Sequence, residues 1–357
     1  MPRVSNPCRC ALTFTVAAFV ALGPAWPGYA EDRGAPSTGL FASEEPLTFT
    51  LEMPYSKVLS SRNDPEYSDA KLVYKDASGG DVTLDLRVRV RGKSRAQACS
   101  FPPLLLNFPA KALDGTWFDG ENKLKLVTHC SQSASYDRYQ AIEYAAYRAF
   151  NQLTDMSLRV RPVEITYFDS KKERVVTTKP GFLLEDEEHF AARHGLHLVT
   201  EEHVDRNRYD PAALALVDMF QYFLGNTDWS ALEGPKGEPC CHNVVPMARA
   251  DGTLVPIPYD FDSTGIVNPP YALPAVGLPI RDVRTRLYRG VCRDPAELAA
   301  SYEPFQRLRA EITAQFERQQ DRLGKSMGAL LVYIDDFYAT LASPERAERA
   351  FRVNCSR

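Results

Sequence analysis

The chain shows no strong excess of charge of either sign. Its 42 lysines and arginines nearly balance 46 aspartates and glutamates, leaving a formal net charge of −4. A protein that holds DNA or RNA through its global field needs a basic footprint, so nucleic acid is excluded as the expected partner. No CxxC pair is present, which argues against a structural zinc site. The six histidines, His129, His189, His194, His197, His203 and His242, form no helical H-E-x-x-H pattern. The cluster from His189 to His203 therefore reads as surface or loop, and a metal-dependent hydrolase would need more ligands. No glycine-rich phosphate loop and no internal repeat can be recognised. Beyond the first thirty residues no run is apolar enough to cross a bilayer, so no stable membrane insertion is expected.

The start of the chain is different. Arg3 and Arg9 precede the apolar run "ALTFTVAAFVALGPAW", and "GYA" precedes "ED". That order predicts a secretory signal peptide over 1–30, cleaved after Ala30. The run is shorter than the roughly 20 apolar residues a spanning helix needs, and Pro24 interrupts it. No cysteine follows the cleavage point, which argues against a lipoprotein. Export to a periplasm or the cell exterior is the expectation. The cysteines agree with it. Cys99, Cys130, Cys240, Cys241, Cys292 and Cys355 remain after cleavage, an even set that should pair in an oxidising compartment. Cys99 and Cys130 flank two strand-like segments and are expected to bond. The connectivity of the other four stays open. One pairing gives Cys292 and Cys355 one member each of the Cys240–Cys241 doublet.

Residues 31–46 are polar and rich in turn formers, a flexible leader. From Leu47 the pattern is β-like. "LTFTLEM" alternates, and "DAKLVYKD", "SGG" and "DVTLDLRVRVRG" read as a hairpin. Val82, Leu84, Leu86, Val88 and Val90 lie on one face of it. "PPLLLNF" and "NKLKLVTH" follow as strands. "YDRYQAIEYAAYRAFNQL" is the first clear helix, because Ile142, Ala145, Ala146 and Ala149 recur at helical spacing. Two more strands, "SLRVRPVEITYFD" and "TKPGFLLED", end near residue 186. Later segments are mainly helical, beginning with Ala213, Val217, Phe220 and Leu224 before the terminator Gly225–Asn226. The reading is an α+β chain, with a β-rich amino-terminal lobe over 47–186 and a helical carboxy-terminal lobe over 187–357. A cleft between two lobes is a common place for a ligand.

Within the helical half, "HNVVPM…VPIPYDFDSTGIVN" reads as a small hairpin. Asn243 opens its first strand, and Asp260 and Asp262 close its second. Two carboxylates and an amide suit a hard cation such as Mg²⁺, which keeps waters and takes phosphates to complete its shell. Asp228, in "GNTDWS", lies just past a buried helix. An Asp, then an Asn, then a strand ending in Asp is the order used in kinase-type phosphoryl transfer. There the first carboxylate handles the hydroxyl proton, and the later residues hold metal against the phosphates. The first lobe should supply cations. Lys125 is a candidate with Lys123 on the same face, and so is the basic turn of Arg91, Lys93 and Arg95 around Gly92. Glu143 on the first helix could pair with the strand lysine, and Glu185 is a second carboxylate near the lobe junction.

The succession "RVRGKSR", "LKLV", a helix, "GFLLED" and "GNTDWS…HNVVPM…VPIPYDFDSTG" resembles the spore-coat protein H (CotH) kinase-like family over roughly residues 85–268. The resemblance implies an atypical protein-kinase-like two-lobe fold. It also implies ATP-dependent phosphorylation of protein hydroxyls with Mg²⁺ or Mn²⁺. It makes Asp228 the catalytic aspartate and Asn243 and Asp260 metal ligands, with Asp262 close by. Lys125 becomes the phosphate-contacting lysine, with Arg91 in support. The alternative is a non-catalytic, disulfide-stapled binding or scaffold protein, in which Asp260 and Asp262 hold structural Ca²⁺.

Overall fold

Seven strands, most of them alternating buried and more exposed residues, close on themselves. The computed structural model describes residues 39–357 apart from Lys236, Asn354 and Arg357. The expected signal peptide over 1–30 lies outside the described residues, as does the start of the leader. The rest of the leader includes a 3₁₀ turn at Leu40–Ala42, with Leu40 buried.

Strands β1 (Leu47–Met53), β2 (Ser68–Lys75) and β3 (Asp81–Val90) form a meander. β4 (Leu104–Asn107) and β5 (Lys123–Val127) extend it. β6 (Val160–Asp169) and β7 (Arg174–Leu184) form a long hairpin. β7 pairs with β5, and β6 pairs in parallel with β1, placing Leu47 opposite Val163. The neighbour order β1-β2-β3-β4-β5-β7-β6 is a closed barrel. Phe49, Leu51, Leu72, Leu86, Val88, Leu106, Leu124 and Ile165 fill it. β5 and β7 approach closely at Gly181, where a Cβ would stand 2.7 Å from the Val127 carbonyl oxygen.

This closure overturns the expected two-lobe kinase-like architecture, whose amino-terminal lobe is an open sheet. Period-two alternation reports which face of a strand is buried. It does not report whether the first and last strands meet.

Short helices α1 (Tyr55–Ser60) and α2 (Ser94–Ala98) decorate the barrel. α3 (Asp137–Leu153) buries Ile142, Ala145, Ala146, Ala149 and Phe150, the face expected from its spacing. Beyond the barrel come α4 (Glu187–His194), the two-residue strand β8 (His197–Leu198) and α5 (Pro211–Leu224). The hairpin of β9 (Val244–Ala248) and β10 (Leu254–Pro258) follows, with β8 added to its edge. Helices α6 (Pro295–Arg307), α7 (Arg309–Glu317), α8 (Gln320–Leu323), α9 (Met327–Leu341) and α10 (Pro344–Arg352) complete the chain. Their apolar faces join α3, α5 and the outer side of β5 and β7 in a second core, which includes Phe182, Phe220, Phe223, Phe305 and Phe337.

Both ends of α5 are capped. Asp210 accepts from the backbone N–H groups of Ala212 and Ala213, and Pro211 stands at the first helical position. Gly225 ends the helix at φ 66°, in the left-handed region. A Cβ on Gly225 would run into the Tyr333 hydroxyl. Gly225→Ala is therefore expected to cost roughly 1–3 kcal/mol, read as a lower urea midpoint with an unchanged slope. An unchanged midpoint would show that the turn has room to relax.

Among the described residues three disulfides form. Cys99–Cys130 is the expected bond, drawn together where Phe101 bridges to Cys130. Cys292 bonds to Cys355, and Cys240 bonds to its neighbour Cys241. The pairing that split Cys240 and Cys241 between the other two is thus corrected. The Cys292 N–H donates to the Ser356 carbonyl and the Ser356 N–H to the Gly290 carbonyl, which lays Ser356 beside Cys292. Among the described residues no helix is long and apolar enough to cross a membrane. Together with the disulfides, this is compatible with an exported protein.

Candidate functional site

The β9–β10 hairpin delivers its polar residues at one end. One step past the Val244–Pro258 pair, the Tyr259 N–H donates to the Asn243 carbonyl at 3.0 Å. Asn243 and Asp260 therefore leave the ladder side by side. Both have left-handed backbones, φ 55° and 60°. Asn and Asp tolerate that region better than other residues with a Cβ. The Asp260 N–H donates to the Tyr147 hydroxyl of α3 at 2.9 Å, which fixes the turn to the second core.

Asp228 arrives from the other side, three residues past Gly225. The Asn226 side chain accepts its N–H at 2.9 Å. Ser230 and His242 exchange backbone hydrogen bonds, so the Asp228 loop lies along the start of the hairpin. His242 Nε2 meets Asp228 Oδ1 at 2.7 Å. The Asn243 amide donates to the Asp228 carbonyl oxygen at 2.6 Å and approaches Oδ2 at 3.4 Å. Arg289 donates to the carbonyls of Thr227 and Trp229 and braces the loop. Asp228 keeps 42% of its side chain exposed. It is a fixed carboxylate facing solvent. The bond to Asp228 raises the pKa of His242.

Next to this pair lies a buried charge cluster around Arg95. Its guanidinium donates to Glu143 of α3 at 2.8 and 3.2 Å and to Asp260 Oδ1 at 2.7 Å. Its Nε lies 3.3 Å from Asp262 Oδ2. Three carboxylates share one cation, and Arg95, Glu143 and Asp262 are buried. Burial pushes Glu143 up to about 8 against the pull of Arg95. Burial, with Asp260 beside it, raises Asp262 to about 6. Burial also works against ionised Asp260, but Arg95, Arg91 and Lys125 together hold it below the usual carboxylate value.

Lys125 pairs with Glu187 at the start of α4 and lies under the Tyr259 ring, 5.4 Å from its centroid. Burial lowers its pKa. Arg91 is close enough for its charge to act on Asp260, Glu187 and Tyr259. The structure thus gathers Asp228, Asn243, Asp260, Asp262, Glu143, Lys125 and Arg91 in one region. It corrects two partners. Glu143 pairs with Arg95, because α3 faces the turn after β3. Glu185 is fully buried between Arg159 and Arg193, in a separate network that includes Glu121. Sequence reading missed the central role of Arg95, although it lies in the basic turn "RVRGKSR". It also missed the contacts of His242 and Arg289 with the Asp228 loop.

Among the described residues no group of three or more histidines, cysteines, aspartates or glutamates is arranged to hold a metal ion. A cation that takes waters and substrate phosphates needs fewer protein ligands. Asp260, Asp262 and Asn243 offer only hard oxygen donors for such an ion. By donor type these residues suit such an ion, but Arg95 already engages both aspartates, and Asp260 is the most exposed of the three acids around it. Two sizeable cavities, about 670 and 400 Å³, lie away from these residues. The first is on the outer wall of the barrel, between Lys71, Asp85 and Arg87. The chain matches no protein-family model and no curated protein.

Proposed function

We propose that the protein transfers a phosphoryl group from ATP to serine or threonine hydroxyls of a protein outside the cytoplasm. The observation that carries this reading is the juxtaposition of a fixed, solvent-facing Asp228 with the Asp260–Asp262 pair across one step of the hairpin. Asp228 accepts or orients the hydroxyl proton, and His242 and Asn243 hold it in place. Asp260 and Asp262, with Asn243, would hold Mg²⁺ or Mn²⁺. That ion would neutralise charge on the transferring phosphates. Arg91 and Lys125 add positive charge beside Asp260. Arg95 orients both aspartates and ties them to Glu143 of α3.

A second reading is favoured by the place of Arg95 itself, which already lies among the carboxylates. On that reading the protein is a non-catalytic, disulfide-stapled binding or scaffold module.

Thermal unfolding of the oxidised protein separates the two. A ligand that binds only the native state raises the midpoint by mass action. A rise that requires ATP and Mg²⁺ together, and that Asp260→Ala removes, is the expected result. A rise with metal alone favours the scaffold reading. No rise with either refutes ATP as the donor.

A further inference from the structure

A second charged site lies beside the end of α5, where Arg286 reaches the Phe223 carbonyl, in the 400 Å³ cavity. Among the described residues four arginines line it, Arg284, Arg286, Arg346 and Arg349, with one acid, Asp336. Asp336 is shared by Arg286 at 3.3 Å and Arg346 at 2.7 Å. Arg284 donates to the backbone carbonyls of Gly265 and Ala329 and has no carboxylate partner among the described residues. Arg349 has no ion pair among them either. Neighbouring acids are engaged elsewhere. Asp335 pairs with Arg309, Glu345 bonds Ser343, and Asp282 caps Thr285.

Two of the four arginines, Arg284 and Arg286, are fixed in place. The Arg284 and Arg286 guanidinium carbons lie 4.1 and 3.6 Å from the centroid of the Tyr333 ring. Arg286 is nearly buried and is pinned to the carbonyls of Phe223 and Tyr333. Stacking and pinning set the planes of the guanidinium forks before any ligand arrives. Arginine forks match phosphate oxygens in pairs. Several arginines held together around a small cavity with one acid repel one another unless an anion joins them. The cavity is the size of a small-molecule site.

We infer that this cavity is a binding site for a small molecule bearing two or more phosphates, separate from the Asp228 site. Arg284, Arg346 and Arg349 grip the anion, and Arg286 and Tyr333 hold the platform.

The test is calorimetric titration of inorganic pyrophosphate into the oxidised protein in metal-free buffer. The expected result is one site per chain, weakened at least tenfold by Arg349→Gln and by Arg284→Gln, and unchanged by Arg91→Gln. Arg349 is exposed, so its variant tests the site even if Arg284→Gln disturbs the Gly265 turn. The inference is overturned by the absence of saturable binding. It is equally overturned by full affinity in Arg349→Gln, or by loss of binding in Arg91→Gln, which would assign the anion to the Asp228 region.

Discussion

Replacing Arg95 with methionine is expected to destabilise the metal-free protein by about 3–5 kcal/mol, the usual cost of stranding buried charge. The variant keeps most of the side-chain volume but leaves Glu143, Asp260 and Asp262 without their shared cation. Part of the loss should depend on pH, and its sign comes from the direction of each shift. Glu143 and Asp262 titrate higher in the folded protein than their ordinary values of 4.5 and 3.8, at about 8 and about 6. Their folded forms hold protons that the unfolded chain has released. Their contribution is fully present below the unfolded values and is lost as pH rises through the folded ones, a window from about 4 to about 8. Asp260 is shifted down, so its contribution is present above 3.8 and is lost as pH falls through its lower folded value. Removing Arg95 takes away the attraction that lowers the pKa of all three, so ionising them as pH rises costs more in the variant. The deficit of the variant should therefore be larger at pH 8 than at pH 5. Urea unfolding at the two pH values measures it. A loss below about 1 kcal/mol with no pH dependence would contradict the shared-cation arrangement.

Asp228→Asn is expected to reduce phosphorylation of a protein substrate by about 10²–10⁴-fold, the range for loss of a positioned general base. Folding should be unaffected, because asparagine keeps the shape and Asp228 is partly exposed. Its backbone carbonyl still accepts from Asn243. The readouts are phosphate incorporation and the unfolding midpoint, taken on the same preparation. Lost turnover at an unchanged midpoint supports the assignment. Full turnover removes Asp228 from the chemistry.

How much of the fold and the site is legible in the sequence depends on the range of the interaction. Leu47–Met53 and Asp137–Leu153 are readable because side-chain period is a local property of a strand or helix. The meeting of Asn243 and Asp260 is readable because a short hairpin brings its two ends together. The parallel pairing of β1 with β6 is not readable, since nothing local marks it. The same holds for Cys292 and Cys355, which meet where Ser356 bridges to Val291. Arg95 is visible as one of several basic residues in a turn. Only the packing of α3 against that turn selects it over Arg91 and Lys93 as the partner of Glu143. His242 fits no metal-ligand spacing, yet an isolated backbone bridge to Ser230, outside any named strand, brings its ring onto Asp228.

The parallel closure of the barrel also sets an order of events during synthesis. β1, β2 and β3 can pair as soon as they emerge, because their contacts are near neighbours along the chain. The free edge of β1 must then wait until β6 has been made. Until that moment the nascent chain carries an open row of backbone donors and acceptors, the template on which other chains add strands. Pairings between distant segments also slow folding. Refolding should therefore be limited by the β1–β6 contact, and its yield should fall as protein concentration rises.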